Sequence, residues 1–174
     1  GRELRFRNVA HAAAHNIHIV FQELSLYPAM DVLSNLFMPR PPVHLGRVDR
    51  HAMRAIAGPV LEQLDVHARL DQPLGELPLD QQQLVEIARS LLSKVDFLIL
   101  DEPNSALNAT ETRRLFSVVR RLRDDGVGVI YVSHRMAEIF EISDRVTVLK
   151  DGRLTGVRDT SAVNPGDLIA LMVG

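Results

Sequence analysis

No cysteine occurs anywhere in the sequence. That excludes disulfides, thiolate metal sites and thiol nucleophiles, and it fits a reducing compartment. Long apolar runs are also missing: none approaches the roughly 18 residues that cross a bilayer. The first residues carry no leader pattern of charge followed by an apolar stretch. A cytoplasmic protein is expected, with no direct membrane insertion and any attachment made through a partner. Charge of one sign is not in excess. Lys and Arg number 20 against 22 Asp and Glu, for a net charge of -2. A nucleic-acid partner is not expected from such a balance. What remains is 46% apolar and 24% charged over 174 residues, the make-up of a soluble globular domain.

Five segments read as strands: Ile17–Phe21, Phe97–Leu100, Val127–Val132, Arg145–Leu149 and Arg153–Val157. The second and third are nearly unbroken apolar runs, as in a parallel sheet covered on both faces. Apolar residues at helical spacing fall between them. They are Met53, Ile56, Ala57, Val60, Leu61 and Leu64; Leu84, Ile87, Ala88, Leu91 and Leu92; Leu115, Val118, Val119 and Leu122; and Met136, Ile139 and Phe140. Gly126 reads as a helix stop and Asp151-Gly152 as a hairpin turn. Residues 161–173 read as a short terminal helix. From Leu24 to about Leu77 there is no strand signal. Pro28, Pro39, Pro41, Pro42, Pro59 and Pro73 interrupt helical patterns there, and the stretch reads as a helical insertion.

Polar residues come directly after three of the strands. Gln22 and Glu23 follow the first, Asp101 and Glu102 the second, Ser133 and His134 the third. Ligands of open α/β sheets bind beyond the carboxyl ends of the strands. If the three strands are parallel, an amide, two carboxylates and an imidazole share one rim. Asp101, nearest its strand, suits Mg²⁺, which prefers oxygen ligands and keeps several waters. Glu102, one residue further out, suits the polarising of an attacking water, work typically worth about 10²–10⁴ in rate. Gln22 and His134 suit the orienting of a phosphate and that water. The plain alternatives are a turn or helix cap for the acidic pair, and a cap for the helix after His134.

These segments resemble ATP-binding cassette (ABC) ATPases. "FLILDEP" resembles the Walker B strand with its glutamate, and "SALNATE" the D-loop. "VIYVSHRMAEIFEISDRVTVLKDGR" resembles the switch-histidine strand and the two strands beyond it. "IHIVFQELSLYPAMDVLSNLFM" resembles the Q-loop and the helical subdomain, and "LPLDQQQLVEIARSL" stands in the place of the signature motif. The wording is most similar to the ATPase subunits of monosaccharide importers of the ribose, galactoside and xylose type. The resemblance implies an α/β fold: a partial P-loop NTPase (RecA-like) core, mainly parallel, with an inserted α-helical subdomain. Its parts would be residues 1–23 (start of the core), 24–76 (helical subdomain) and 77–174 (signature helix through the last strands).

It implies ATP and Mg²⁺ as cofactors, with Asp101 and Gln22 at the metal and Glu102 as hydrolytic base. His134 would meet the γ-phosphate. Leu77, Pro78, Leu79, Asp80 and Gln81 would cap the nucleotide of an opposite subunit, with Ser105 of the D-loop at the same interface. Implied partners are transmembrane permease subunits and a second ABC ATPase domain. The implied location is the inner face of the cell membrane, held through the permease.

Two departures stand out. There is no G-x-x-x-x-G-K-[ST], and the residues before Gln22 hold no lysine. The loop whose N–H groups and lysine cradle phosphates is therefore absent from this sequence. At the signature, Pro78 replaces a serine and Asp80 a glycine. Two like charges about 4 Å apart cost roughly 1 kcal/mol in water and about 4 at an effective dielectric near 20, so Asp80 is expected to weaken the cap. Asn104 stands where the family usually has threonine. A truncated, inactive chain is therefore expected, and the alternative is a non-catalytic module docking on a permease or partner ATPase.

Other clusters take ordinary readings. His11 and His15, with His18 nearby, have zinc-like spacing but mark a solvated helix face. His44, His51 and His67 read as surface. Arg113, Arg114, Arg120, Arg121 and Arg123 read as the exposed side of a helix. Tyr27, Met30 and Phe37 read as core or permease contact.

Overall fold

The structure, a computed structural model, describes residues 4–173. The chain divides into two units, residues 1–130 and 131–174.

In the first unit a short helix, α1 (Val9–Ala13), leads into β1 (Ile17–Val20). There follow α2 (Val32–Phe37), a small hairpin of β2 (Val43–His44) and β3 (Arg47–Val48), and α3 (Arg50–Gln63). A 3-10 turn at Leu74–Glu76 precedes α4 (Leu79–Leu91), then β4 (Phe97–Asp101), α5 (Ala109–Asp124) and β5 (Gly128–Val132), whose last two residues belong to the second unit. The local signals explain the boundaries. Asp31, Asp49 and Asn108 cap α2, α3 and α5 by accepting backbone N–H bonds. Asn108 and Glu111 form a full capping box, each side chain accepting from the other's backbone N–H.

The sheet order is β1-β4-β5. β1 and β4 run parallel, with Ile17 opposite Phe97 and Val20 opposite Leu100. Asn16, at a φ of 60°, starts both strands: its carbonyl accepts from the N–H groups of Asp96 and Phe97, and its amide donates to the Asp96 carboxylate. That amide is the main reason the Asp96 carboxyl sits below its ordinary pKa. Gly128 opens β5, and its N–H donates to the Asp96 carbonyl at 2.9 Å. A Cβ there would come within 2.6 Å of the half-exposed Phe97 ring, so a larger residue would have to push that ring aside.

Val20, Leu98 and Leu100 point into the core and are fully buried. On the opposite face Ile17, Ile19 and Ile99 line an open hollow of about 270 Å³ together with Phe6, Val9 and Ala12. Burial holds the His18 imidazole below its ordinary pKa, a smaller opposing effect coming from the Lys94 backbone. His11 and His15 stack edge-on with each other and with Phe6.

Helix α4 is the axis of this unit. Of the expected stripe Leu84, Ile87 and Ala88 are buried and Leu91 and Leu92 half-buried, but Asp80, Gln81, Gln83 and Glu86 on other sides of the helix are buried too. It is enclosed nearly all round, and periodicity alone does not distinguish that from an amphipathic surface helix. On α5 the expected Leu115, Val118, Val119 and Leu122 are buried, with Phe116 added. On α3 Met53, Ala57 and Leu61 are buried, whereas Ile56, expected inside, is 45% exposed.

The stretch after Leu24 corrects one expectation, because it contains the β2–β3 hairpin. Leu45 and Gly46, at φ of 49° and 77°, turn a ladder of two residue pairs. Strands of two residues are too short to show a period of two.

In the second unit α6 (Met136–Ile142) precedes an antiparallel pair, β6 (Arg145–Lys150) and β7 (Arg153–Asp159). Asp151 and Gly152 turn between them with positive φ at both positions, as the Asp-Gly pair predicted. After a 3-10 turn at Thr160–Ala162, α7 (Pro165–Val173) closes the chain, starting four residues later than expected. Val146, Val148 and Leu168 form the core here, with Met136, Ile139, Phe140, Val163 and Leu171 against it.

Candidate functional site

The parallel pairing brings three predicted residues to one end of the sheet. Gln22 lies two residues past Val20, and Glu102 two past Leu100, its register partner. Gln22 and Glu23 are exposed, whereas Asp101, the last residue of β4, and Glu102 are half-buried. Glu102 has a φ of 44°, a left-handed conformation uncommon for a residue with a side chain. The chain turns sharply at that point. Pro103 and Asn104 go inward, while Ser105 is exposed and donates its N–H to the Glu102 carbonyl at 3.1 Å. Asn104 is 2% exposed, and its side-chain N–H₂ has no hydrogen-bond partner among the described residues. Ser133 and His134 belong to the second unit, directly after β5.

The loop entering α4 is tied by its own side chains. Pro78 occupies the N-cap without a side-chain bond, and Leu77 is buried while Leu79 is 41% exposed. Gln82 donates its amide to the Leu77 carbonyl at 2.8 Å. Gln81 is buried, and its Oε1 accepts from the His67 N–H at 2.8 Å. Asp80 does not present its charge outward, as the sequence suggested. Its side chain is 7% exposed and accepts from Arg114 Nη1 at 3.1 Å. Arg114 thereby leaves the group of arginines expected to be merely solvated.

The segment after Gln22 is anchored by residues that sequence reasoning missed. Ser25 Oγ donates to Glu86 Oε1 at 2.9 Å. Arg89 donates to the Ser25 carbonyl and hydroxyl and to the same Glu86 carboxylate. Asn35, fully buried, accepts from the Tyr27 N–H and donates to the carbonyls of Tyr27, Met30 and Asp31. Burial raises the Asp31 carboxyl, but the Ser34 N–H and hydroxyl and the Arg50 guanidinium outweigh it and hold the group below its ordinary pKa. No pattern in the sequence marked these anchors, because Glu86 shares its helix face with Gln82, Gln83, Arg89 and Ser90.

Asp101 and Gln22 supply one carboxylate and one amide oxygen at the strand ends. No group of three His, Cys, Asp or Glu side chains able to hold a metal occurs among the described residues. This donor set fits Mg²⁺, which takes one or two carboxylates and completes its shell with water and phosphate oxygens, better than a metal caged by protein alone. No helix among the described residues is long and apolar enough to cross a membrane.

Comparison with known proteins gives a consistent picture. The family model described as ABC transporter matches residues 1–105. The ribose import ATP-binding protein RbsA of Streptococcus agalactiae serotype Ia is 43% identical over all of this chain. The chain spans 36% of that relative's length. A solved nucleotide-free ATP-binding cassette from an ABC transporter superposes with a TM-score of 0.79 at 21% identity, over 97% of this chain and 72% of the cassette. A dimeric cassette in a post-hydrolysis state, bound to ADP and Pi, is 25% identical with a TM-score of 0.68, over 83% of this chain and 63% of its own.

Proposed function

This chain belongs to the ABC transporter family, and on that premise we propose that it is part of the ATP-hydrolysing subunit of a carbohydrate importer. The observation that carries the reading is the shared end of the parallel β1–β4 pair, where Gln22, Asp101 and Glu102 leave the sheet together. The likeness to a ribose import protein supports a sugar as cargo. In this reading Asp101 and Gln22 hold Mg²⁺, which neutralises phosphate charge when bound with ATP. Glu102 takes the proton of the attacking water, and the left-handed turn at its own φ sets the direction of its carboxylate. His134 meets the γ-phosphate.

The Leu77–Gln81 loop meets a nucleotide held by a second ATPase domain through the exposed Pro78 and Leu79, with Ser105, while Leu77, Asp80 and Gln81 support it from inside. The dimeric neighbour supports such a pairing. Residues 24–76 act as a helical subdomain between core parts 1–23 and 77–174, and receive the permease at the cytoplasmic face of the membrane. The phosphate-cradling loop is not among these residues, so the chemistry belongs to the longer protein. In that complete protein with its permease, Glu102→Gln lowers MgATP turnover by about 10²-fold or more while nucleotide binding stays within a fewfold. Turnover at the wild-type rate in that variant refutes the role given to Glu102.

A second reading is favoured by the signature loop. Pro78 offers neither hydroxyl nor N–H, and the Asp80 carboxylate is committed to Arg114. A chain with that loop suits a docking module that assembles without turning over ATP. Assembly with the permease but no hydrolysis above background, in wild type and Glu102→Gln alike, selects this second reading.

A further inference from the structure

His134 sits in a turn whose two flanking residues are held by a single carboxylate. Ser133 Oγ donates to Glu138 Oε2 at 2.7 Å. On the other side Arg135 Nη1 donates to Glu138 Oε1 at 3.3 Å. The two flanks are also joined directly, because the Arg135 N–H donates to Ser133 Oγ at 3.0 Å. The Tyr131 hydroxyl adds a longer contact to Oε2 at 3.4 Å. Glu138 lies in the first turn of α6, and its side chain is only 8% exposed. A carboxylate is rarely buried so far unless its hydrogen bonds are made, and here they all converge on the segment that carries His134. Arg135, at the N-cap position of α6, makes no side-chain cap bond. The turn is therefore closed by Glu138 and Ser133.

We propose that Glu138 is a positioning residue for His134. It rests on the reading of His134 as the γ-phosphate contact. The direction in which a side chain leaves the backbone is set by the dihedrals of its own and adjoining residues. By holding Ser133 and Arg135 together, Glu138 fixes those dihedrals and so the line along which the imidazole projects. Loss of the carboxylate leaves the strand and the helix intact but frees the turn between them. The imidazole then samples several directions, and turnover falls because the phosphate contact is made only part of the time.

The test uses the complete ATPase assembled with its permease. Glu138→Ala lowers kcat about 10²-fold, the cost of a misplacement near 1 Å, while KM for MgATP stays within about twofold. Glu138→Gln keeps the shape and an acceptor oxygen for Ser133, and recovers about tenfold or more of that loss. A readout independent of turnover comes from ¹⁵N-labelled histidine in the nucleotide-free protein, with the His134 ring signals identified by their disappearance in His134→Ala. They shift in Glu138→Ala and stay in place in Glu138→Gln. Unmoved ring signals in Glu138→Ala, or a rise in KM with kcat unchanged, overturn the proposal. If Glu138→Ala does not fold, Ser133→Ala opens the same turn from its other side and is judged by the same two readouts. His134→Ala at wild-type turnover refutes the role of His134 itself. Ring signals that still move in Glu138→Ala then leave the positioning contact standing.

Discussion

Around the start of α4 the polar side chains are tied inward, whereas Gln22 and Glu23, beyond β1, carry no tie among the described residues. Asp80 is held by Arg114, Gln81 by the His67 N–H, and Gln82 by the Leu77 carbonyl. Gln22 and Glu23 are exposed, and the chain is next anchored at Ser25 and Tyr27. A helix start bound on several sides moves as a body. A short span between two anchors changes shape without breaking a buried bond, and such spans are where local motion is least costly. In the proposed importer the first arrangement suits a surface presented to a second ATPase domain. The second suits a sensor that responds to water, metal and permease.

The strongest challenge to this contrast is removal of the anchor at Ser25. Glu86→Ala leaves Arg89 without its carboxylate partner, and breaking a buried pair costs about 3–5 kcal/mol. Arg89 is 23% exposed against 5% for Glu86, so about 3 kcal/mol is expected, read from the urea unfolding midpoint at constant slope. A loss under about 1 kcal/mol would mean that Ser25 is not an anchor.

A smaller effect is expected at the start of α4. Arg114→Met leaves the buried Asp80 carboxylate short of its donor. Hydrogen bonds to charged groups are worth about 1.5–3 kcal/mol. Arg114 is 58% exposed, so solvent screening holds the loss to about 1–2 kcal/mol. Amide exchange in the first turn of α4 rises with it. Exchange that stays at the wild-type rate would show that other bonds hold the turn.

Gln22→Ala is expected to change least, within about 0.5 kcal/mol of wild-type stability, because no buried bond is lost. The same substitution lowers permease-coupled ATP turnover in the complete protein. A destabilisation above about 1 kcal/mol would erase the distinction between the tied and untied regions.

Much of this arrangement is legible in the residues alone. The apolar run Phe97–Leu100 announces a strand, though only Leu98 and Leu100 are buried and Phe97 is 49% exposed. Its abrupt end in Asp101 and Glu102 announces where the chain leaves the core. Asp151-Gly152 announces the β6–β7 turn, whereas the cap of α5 by Asn108 and Glu111 comes from the structure. The hairpin at Val43–Val48 is not legible, because two residue pairs give no period. Neither is the burial of α4 on nearly every side. The apolar stripe marks one face only, yet Gln81, Gln83 and Glu86 beyond it are also buried. Asp80 reads as a charge facing phosphate because one-dimensional spacing does not show that Arg114, 34 residues away, supplies its partner. Glu138 escapes notice although its partners Arg135, Ser133 and Tyr131 lie only 3, 5 and 7 positions away. A glutamate in a first helical turn is ordinary until its bonds to both neighbours of His134 are seen.

The sequence by itself determined the five longer strands, the Asp151-Gly152 turn and the family, because each depends on residue type and spacing within a few positions of chain. Only the tertiary structure decided which polar side chains are spent inside the molecule. Hydrogen bonds and ion pairs such as Ser25 with Glu86 and Asp80 with Arg114 join residues 61 and 34 positions apart. A carboxylate's effect depends on what it meets after folding, since water, a guanidinium or a phosphate would give the same charge different consequences.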